Sequence, residues 1–255
     1  PMIMNNRYSN YFSKVHRFCN PLKTKDSSRT GHSVMLALIS CLLILPGLAS
    51  TVDAQPTSCD AEIPNCSSYT TIGQDGVNTY LSNLSVPPDQ LKNACWIVKG
   101  RLYIDQHYSF HKCDIKMAKE ASIVVDNGYS LNITNSKLSA DTSVAWRSIR
   151  IDGTSSLIMS KSCVSDAMMG IEADYTSFIF LFDNYFDRNY YHFFEYPDDL
   201  SDIDPANFRI YQNTFDCSST LPDRYPSPPK DIEASSNTIA GMYLSSVQVT
   251  LGGFN

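Results

Sequence analysis

Residues 146–164 read WRSIRIDGTSSLIMSKSCV, and the spacing of the apolar side chains in this stretch decides the fold. Ile149 and Ile151 share one parity, Leu157 and Met159 a second, Ser162 and Val164 a third. Residues two apart point to the same side of a β-strand, so each pair marks a short strand. Met159 to Ser162 is an odd step, and one flat strand cannot bury both ends. A corner between them resolves it, and Asp152-Gly153-Thr154 supplies another. Three strands and their corners make one triangular coil.

The same phrase recurs on both sides. Segments ending at Ile115, Leu138, Val164, Phe186 and Phe215 read YSFHKCDI, LNITNSKL, LIMSKSCV, IFLFDNYF and FRIYQNTF. Counting back from each final residue, apolar side chains stand at minus five and minus seven. Cys113, Ser136, Ser162, Asn184 and Asn213 stand at minus two. Upstream, the alternating pairs Leu102/Ile104, Ile123/Val125, Ile149/Ile151 and Ile171/Ala173 are each followed by an aspartate: Asp105, Asp126, Asp152 or Asp174. The aligned ends lie 23, 26, 22 and 29 residues apart, a repeat with insertions. No LxxLxL frame persists, which sets aside a leucine-rich repeat. The expected fold is all-β: a right-handed parallel β-helix, a solenoid of three-sided coils of about 22–29 residues stacked at ~4.8 Å. The minus-two side chains should form an inward ladder at one corner, bonding to backbone or to the next coil.

Residues 95–255 carry the repeat. Residues 55–94 read as an N-terminal cap, with a short helix around Val77–Leu84 closed by Pro87 and Pro88. Residues 1–54 read as a leader and signal peptide. Basic residues including Arg17, Lys25 and Arg29 precede the apolar run Val34–Leu48, and Val52 and Ala54 place cleavage before Gln55. A retained signal anchor is the competing reading. Fifteen residues interrupted by Pro46-Gly47 are short for a ~30 Å hydrocarbon core, so no stable membrane span is expected after cleavage. The expected location is secreted or cell-surface. The sequence opens at Pro1 and stops at Asn255, about where a third strand is due after Met242/Leu244 and Val249/Leu251, and so reads as a fragment truncated at its C-terminus.

Removing the leader takes away six of the 20 Lys and Arg and two of the 26 Asp and Glu, leaving a net charge near −10. That disfavours nucleic acid and anionic membrane surfaces as partners. Cys59, Cys66, Cys95, Cys113, Cys163 and Cys217 remain, an even count that permits three disulfides in an exported chain. Cys59–Cys66 is the expected pair, because its loop is short and precedes the repeat. Cys113 and Cys163 sit two coils apart, ~9.6 Å along the axis, beyond disulfide reach.

The run Trp146–Gly153 continuing through Val164–Ile171, together with Asn184-Tyr185-Phe186-Asp187-Arg188-Asn189, resembles bacterial secreted β-helix proteins of the pectin-lyase-like superfamily. Many of these are large surface proteins ending in a type IX secretion sorting domain. The resemblance covers roughly residues 95–255 and implies a fold rather than an activity. Two departures stand out: His192 occupies the slot that Gly170 holds one coil earlier, and no sorting domain is present.

Catalytic signals are sparse. Hydrolases of the superfamily carry an aspartate pair with GHG and RIK-like motifs, and neither motif occurs here. Its lyases use an arginine base near calcium. Arg188 beside Asp187 is the suggestive case, with a surface ion pair as the simpler reading. Asp198, Asp199, Asp202 and Asp204, in the insertion 196–206, could bind calcium through oxygen ligands or form a solvated acidic loop. A second insertion, 218–240, is rich in Ser and Pro. His107, His111 and His192 lack partners at metal or catalytic spacing. The densest feature is aromatic. By register Phe186 and Phe193 point inward, whereas Phe180, Phe182, Tyr185 and Phe194 point outward, where they could stack on sugar rings or pack against the 196–206 insertion. The expected function is that of an exported, non-catalytic surface, adhesion or carbohydrate-binding module without a cofactor, its partner a carbohydrate or other cell-surface ligand. A polysaccharide lyase or glycoside hydrolase is the alternative.

Overall fold

The computed structural model describes residue 59 and residues 61–87, 89–174, 176–195 and 207–216, with the backbone of 240–243 and 248–252. The leader, both insertions apart from the backbone of Ala240, and the four calcium candidates Asp198, Asp199, Asp202 and Asp204 lie outside the described residues.

Two strands, β1 (Thr70–Tyr80) and β2 (Gln90–Lys92), precede the coils. The first coil comprises β3 (Cys95–Ile104), β4 (Tyr108–His111) and β5 (Asp114–Met117). The second is β6 (Ser122–Val125), β7 (Ser130–Thr134) and β8 (Lys137–Ala140). The third is β9 (Trp146–Ile151), β10 (Ser156–Ser160) and β11 (Cys163–Ser165). β12 (Ala167–Ala173), β13 (Phe178–Phe182) and β14 (Tyr185–Asp187) form the fourth, and β15 (Tyr191–Glu195), β16 (Asn207–Tyr211) and β17 (Thr214–Asp216) the fifth. β18 (Ala240–Tyr243) and β19 (Gln248–Gly252) begin another. Among the described residues every strand pairing is parallel.

Like positions of successive coils stack into three faces. The first runs β3-β6-β9-β12-β15-β18, the second β2-β4-β7-β10-β13-β16-β19, and the third β5-β8-β11-β14-β17. First and third merge into one sheet because β3 serves both. Its Cys95–Val98 half pairs with β5 and its Arg101–Ile104 half with β6, with Gly100 in the left-handed region between them. This is the parallel β-helix that the parity of residues 146–164 demands.

The inward set agrees with the repeat. Ile123/Val125, Leu131/Ile133 and Leu138 line the second coil, and Ile149/Ile151, Leu157/Met159 and Val164 the third, all fully buried. Each such side chain contributes roughly 1.5–3 kcal/mol by leaving water, so the core is a sum of nearly equal layers.

The corner between the second and third faces is built on one residue. Lys112, Asn135, Lys161, Asp183 and Gln212 all take φ between 48° and 57° there, and Asn93 does so before the first full coil. Directly after them comes the ladder expected at minus two. Ser136 Oγ accepts from the Cys113 backbone N–H (3.0 Å), Ser162 Oγ from that of Ser136 (3.1 Å), Asn184 Oδ1 from Ser162 (3.0 Å) and Asn213 Oδ1 from Asn184 (2.9 Å). The turn leaves one backbone N–H per coil without a strand partner, and the side chain of the next coil supplies it.

Two expectations fail. The segment expected to be a helix around Val77–Leu84 is instead the end of strand β1, followed by a single 3-10 turn at Leu81–Asn83. The exposed backbone edge of β3 offers parallel hydrogen bonds that a short isolated helix cannot match, and β1 takes them. Ile72, Leu81 and Leu91 turn inward and close the end of the core.

The second correction concerns the cysteines. Cys59 bonds to Cys163 and Cys66 to Cys95, while Cys113 is a buried free thiol; Cys217 lies outside the described residues. Cys95, Asp114, Lys137 and Cys163 form one row across the third face, so Cys95 and Cys163 stand three rungs, or ~14 Å, apart. The segment from Cys59 to Cys66 is long enough to span that distance when extended. It is tied down by a Lys112–Glu62 ion pair at 2.5 Å and a Tyr69 hydroxyl donating to Asp114 Oδ2 at 2.7 Å. Burial, reinforced by that carboxylate, pushes the Tyr69 hydroxyl up to about 12. Row alignment, rather than nearness in sequence, selects the pairs.

Candidate functional site

The recurring aspartates come first, because a cleaving enzyme would need carboxylates held apart and free to react. Here Asp126 and Asp174 bond the backbone of their own corners, while Asp105 and Asp152 are engaged by partners outside theirs. Asp126 Oδ1 accepts from the Asn127 backbone N–H (2.9 Å), and Asp174 Oδ1 from that of Thr176 (3.4 Å). Asp105 takes both the backbone N–H and the hydroxyl of Ser82, at 3.0 and 2.5 Å. Asp152 pairs with Arg150 Nε at 2.5 Å. Beside it the fully buried Glu172 accepts from Ser148 Oγ at 2.5 Å and lies 3.9 Å from Arg150 Nη1.

Arg188 is similarly committed. Its Nη2 lies 2.8 Å from Asp166 Oδ1 and its Nε 3.4 Å from Asp187 Oδ2, joining two coils at a corner where Asp166 and Arg188 are both left-handed. A guanidinium already engaged by two carboxylates suits an ion pair better than a base.

The histidines separate by environment. His107 and His111 place Nδ1 2.8 Å from Ser130 Oγ and Thr134 Oγ1, one coil on. His192 is fully buried between Phe186 and Phe215, with ring centroids 6.2 and 5.6 Å away. Asn189 Nδ2 lies 3.1 Å from its Nδ1, and Nε2 is buried without a hydrogen-bond partner among the described residues. Burial lowers the imidazole to about 4 against the opposing pull of Asp216, so the ring is neutral at pH 7. Gly170 explains the accommodation. A Cβ there would stand 2.7 Å from the His192 carbonyl oxygen and 3.4 Å from Asn189 Nδ2. Among the described residues, no group of three or more His, Cys, Asp or Glu could hold a metal ion.

The outward side of the second face has a different character. Two rows run across it: Ser109, Asn132, Ile158, Phe180, Arg209, and His111, Thr134, Ser160, Phe182, Tyr211. Phe178 stands beside Ser156 in a third row. Ile179 and Leu181 are fully buried between these aromatics, so Phe178, Phe180 and Phe182 all face outward, half-buried, about 6.8 Å apart along β13. Phe180 and Tyr211 approach to 5.9 Å between ring centroids at 49°. Ile158, next to Phe180, is 39% exposed. The result is a half-buried aromatic platform bordered by Ser156, Ser160, Thr134 and the exposed Arg209, on a backbone paired with neighbouring strands on both sides.

Sequence reading placed Phe180 and Phe182 correctly outside, and Phe186 and Phe193, both fully buried, inside. Tyr185 is outward too, but its hydroxyl donates to Asp216 Oδ2 (2.8 Å), and burial with that contact raises it to about 12. Phe194 is buried at 8% exposure, away from the platform. Tyr211 and Ile158 were missed, although the parity that buries Ile210 and Leu157 turns them outward by the same rule. No family model matches this sequence, and no curated protein and no solved structure matches it either.

Proposed function

We propose that the chain is an exported, non-catalytic module that binds carbohydrate through the outward platform of the second face, as part of a surface or adhesion protein. The platform carries the reading. Phe178, Phe180, Phe182 and Tyr211 offer flat aromatic faces to the C–H side of sugar rings, while the hydroxyl rim suits sugar hydroxyls. Spacing fixed by a sheet costs no ordering of the site on binding. The engagement of Asp105, Asp126, Asp152 and Asp174 supports binding over cleavage. Two disulfides support an oxidising, extracellular setting. Among the described residues no helix is long and apolar enough to cross a membrane. The resemblance to the pectin-lyase-like superfamily would give the hydrolase or lyase alternative its ground.

The test is retardation of the chain in native gels containing neutral polysaccharides. Binding should vanish in a Phe180→Ala/Tyr211→Ala variant that melts like the parent. New reducing ends or unsaturated products in the same incubations would instead make it an enzyme.

A further inference from the structure

At the corner between the third and first faces, near the amino-terminal end of the stack, three successive turns differ in size. β3 passes through the corner on Gly100 alone, while the next two coils take residues 118–121 and 141–145 to make it. The short corner lies below the two long ones and leaves a hollow. Its other wall is a bulge in β1, where pairing with β3 shifts between Gly73 and Asn78. That bulge packs backbone on backbone. A Cβ on Gly100 would stand 2.3 Å from the Gln74 carbonyl oxygen and 2.4 Å from that of Val77. The cleft between the two walls is open to solvent and measures about 820 Å³, within the range of small-molecule sites.

Its lining is of mixed charge, four basic side chains against three acidic ones, one net positive charge. Lys99, Arg101, Lys119 and Arg147 line it on a chain of net charge −6. Asp75, Glu120 and Asp141 line it too. Among the described residues none of these seven is in an ion pair, although opposite charges share one hollow. Four unpaired cations favour an oxyanion with several charged oxygens, and arginine can meet such oxygens with two parallel N–H bonds. Carboxylates standing among them accept hydrogen bonds but repel a bare polyanion. Together they suit a molecule bearing an anionic ester beside free hydroxyls.

We propose that this cleft binds a polyhydroxylated ligand carrying a sulfate or phosphate monoester, with Arg101 and Arg147 on the ester and the interleaved carboxylates on neighbouring hydroxyls. The site is separate from the aromatic platform and does not rest on it.

Calorimetric titration of the full chain with glucose 6-phosphate, glucose 6-sulfate and unmodified glucose tests it, the two esters distinguishing the source of the anion. At least one ester should bind, glucose should not, and binding should weaken on raising salt from 0.05 to 0.5 M. An Arg101→Gln/Arg147→Gln variant should lose about tenfold or more in affinity at an unchanged melting temperature. The Phe180→Ala/Tyr211→Ala variant should bind the ester like the parent, which keeps the two sites distinguishable. Silence with both esters, or full affinity in the arginine variant, would overturn the assignment.

Discussion

The two corners that flank the third face obey different rules. Between the second and third faces, every coil turns on one left-handed residue followed by one ladder side chain, from Lys112-Cys113 to Gln212-Asn213. Between the third and first faces the turn occupies residues 118–121, then 141–145, then Asp166 alone, then 188–190. The first corner has an inward job. Each ladder side chain takes the backbone N–H of the coil before it, so an added or lost residue would strand a buried donor. The second corner varies in length from coil to coil, and its two longest turns expose Lys119, Glu120, Asp141, Thr142 and Ser143 to water. Constancy marks where the fold is held, and drift marks where a cleft could be built.

The sharpest way to break this contrast is to attack a side chain next to the regular corner. Ile133 is fully buried, whereas Thr134 faces outward and meets His111 at 2.8 Å. Ile133→Asp should abolish folding by burying a charge between coils, a loss of several kcal/mol, while Thr134→Asp should cost under about 1 kcal/mol. Equal losses in guanidinium titrations would mean that the faces have been assigned the wrong way round.

His192 tests the irregular corner where it does reach the core. Its imidazole titrates near 4 in the folded chain against 6.5 as a free side chain. Below pH 6.5 the unfolded chain takes up a proton that the folded chain refuses until about pH 4. Stability should therefore fall on acidification across that window, by roughly 3 kcal/mol, and level off below it. A His192→Gln variant can still accept from Asn189 and should lose this component. Parallel pH–stability curves for variant and parent would show that the ring is solvated.

A smaller effect belongs to the ladder itself. Asn184 accepts from the Ser162 N–H and donates to the Met159 carbonyl oxygen (2.9 Å) and to Asn213 Oδ1 (2.8 Å). Asn184→Ala should cost about 1–3 kcal/mol by leaving those groups unpaired. Asn184→Ser should recover part of it, since serine serves the same position at Ser136 and Ser162. Indistinguishable alanine and serine variants in urea titrations would argue that the ladder fills space and nothing more.

What could be read from the sequence follows the same division. The inward pairs and the minus-two ladder were legible because each coil repeats the same physical demand at the same phase. The left-handed position before the ladder was not, because Lys112, Asn135, Lys161, Asp183 and Gln212 share a backbone conformation but no side-chain chemistry. The disulfide partners and β1 depended on rows and edges that exist only after stacking. So did the cleft: Lys99, Arg101, Lys119 and Arg147 are scattered over three coils and converge through corners of unequal length. Outward aromatics were half legible, since parity gives their direction and not the neighbours that leave Phe180 half-buried and cover Phe194.

The smallest effect expected is the most direct measure of the contrast. Thr142 and Ser143 are exposed, and in their turn the Thr142 hydroxyl accepts from the Val144 N–H at 3.3 Å. Inserting Gly-Ser between Thr142 and Ser143 lengthens a turn of residues 141–145 that already exceeds its neighbours. Closure entropy grows only with the logarithm of loop length, so the added cost is about 0.3 kcal/mol, and no buried donor loses its partner. The same two residues between Lys161 and Ser162 would pull Ser162 Oγ from the Ser136 N–H and the Ser162 N–H from Asn184, two ladder bonds at once. The melting temperature should barely move in the first variant and should fall further than for Asn184→Ala in the second. If both insertions were tolerated alike, the regular corner would owe its constancy to something other than its hydrogen bonds. If both were ruinous, the turn at 141–145 would be carrying stack stability, and it could not then be a wall free to vary around a ligand.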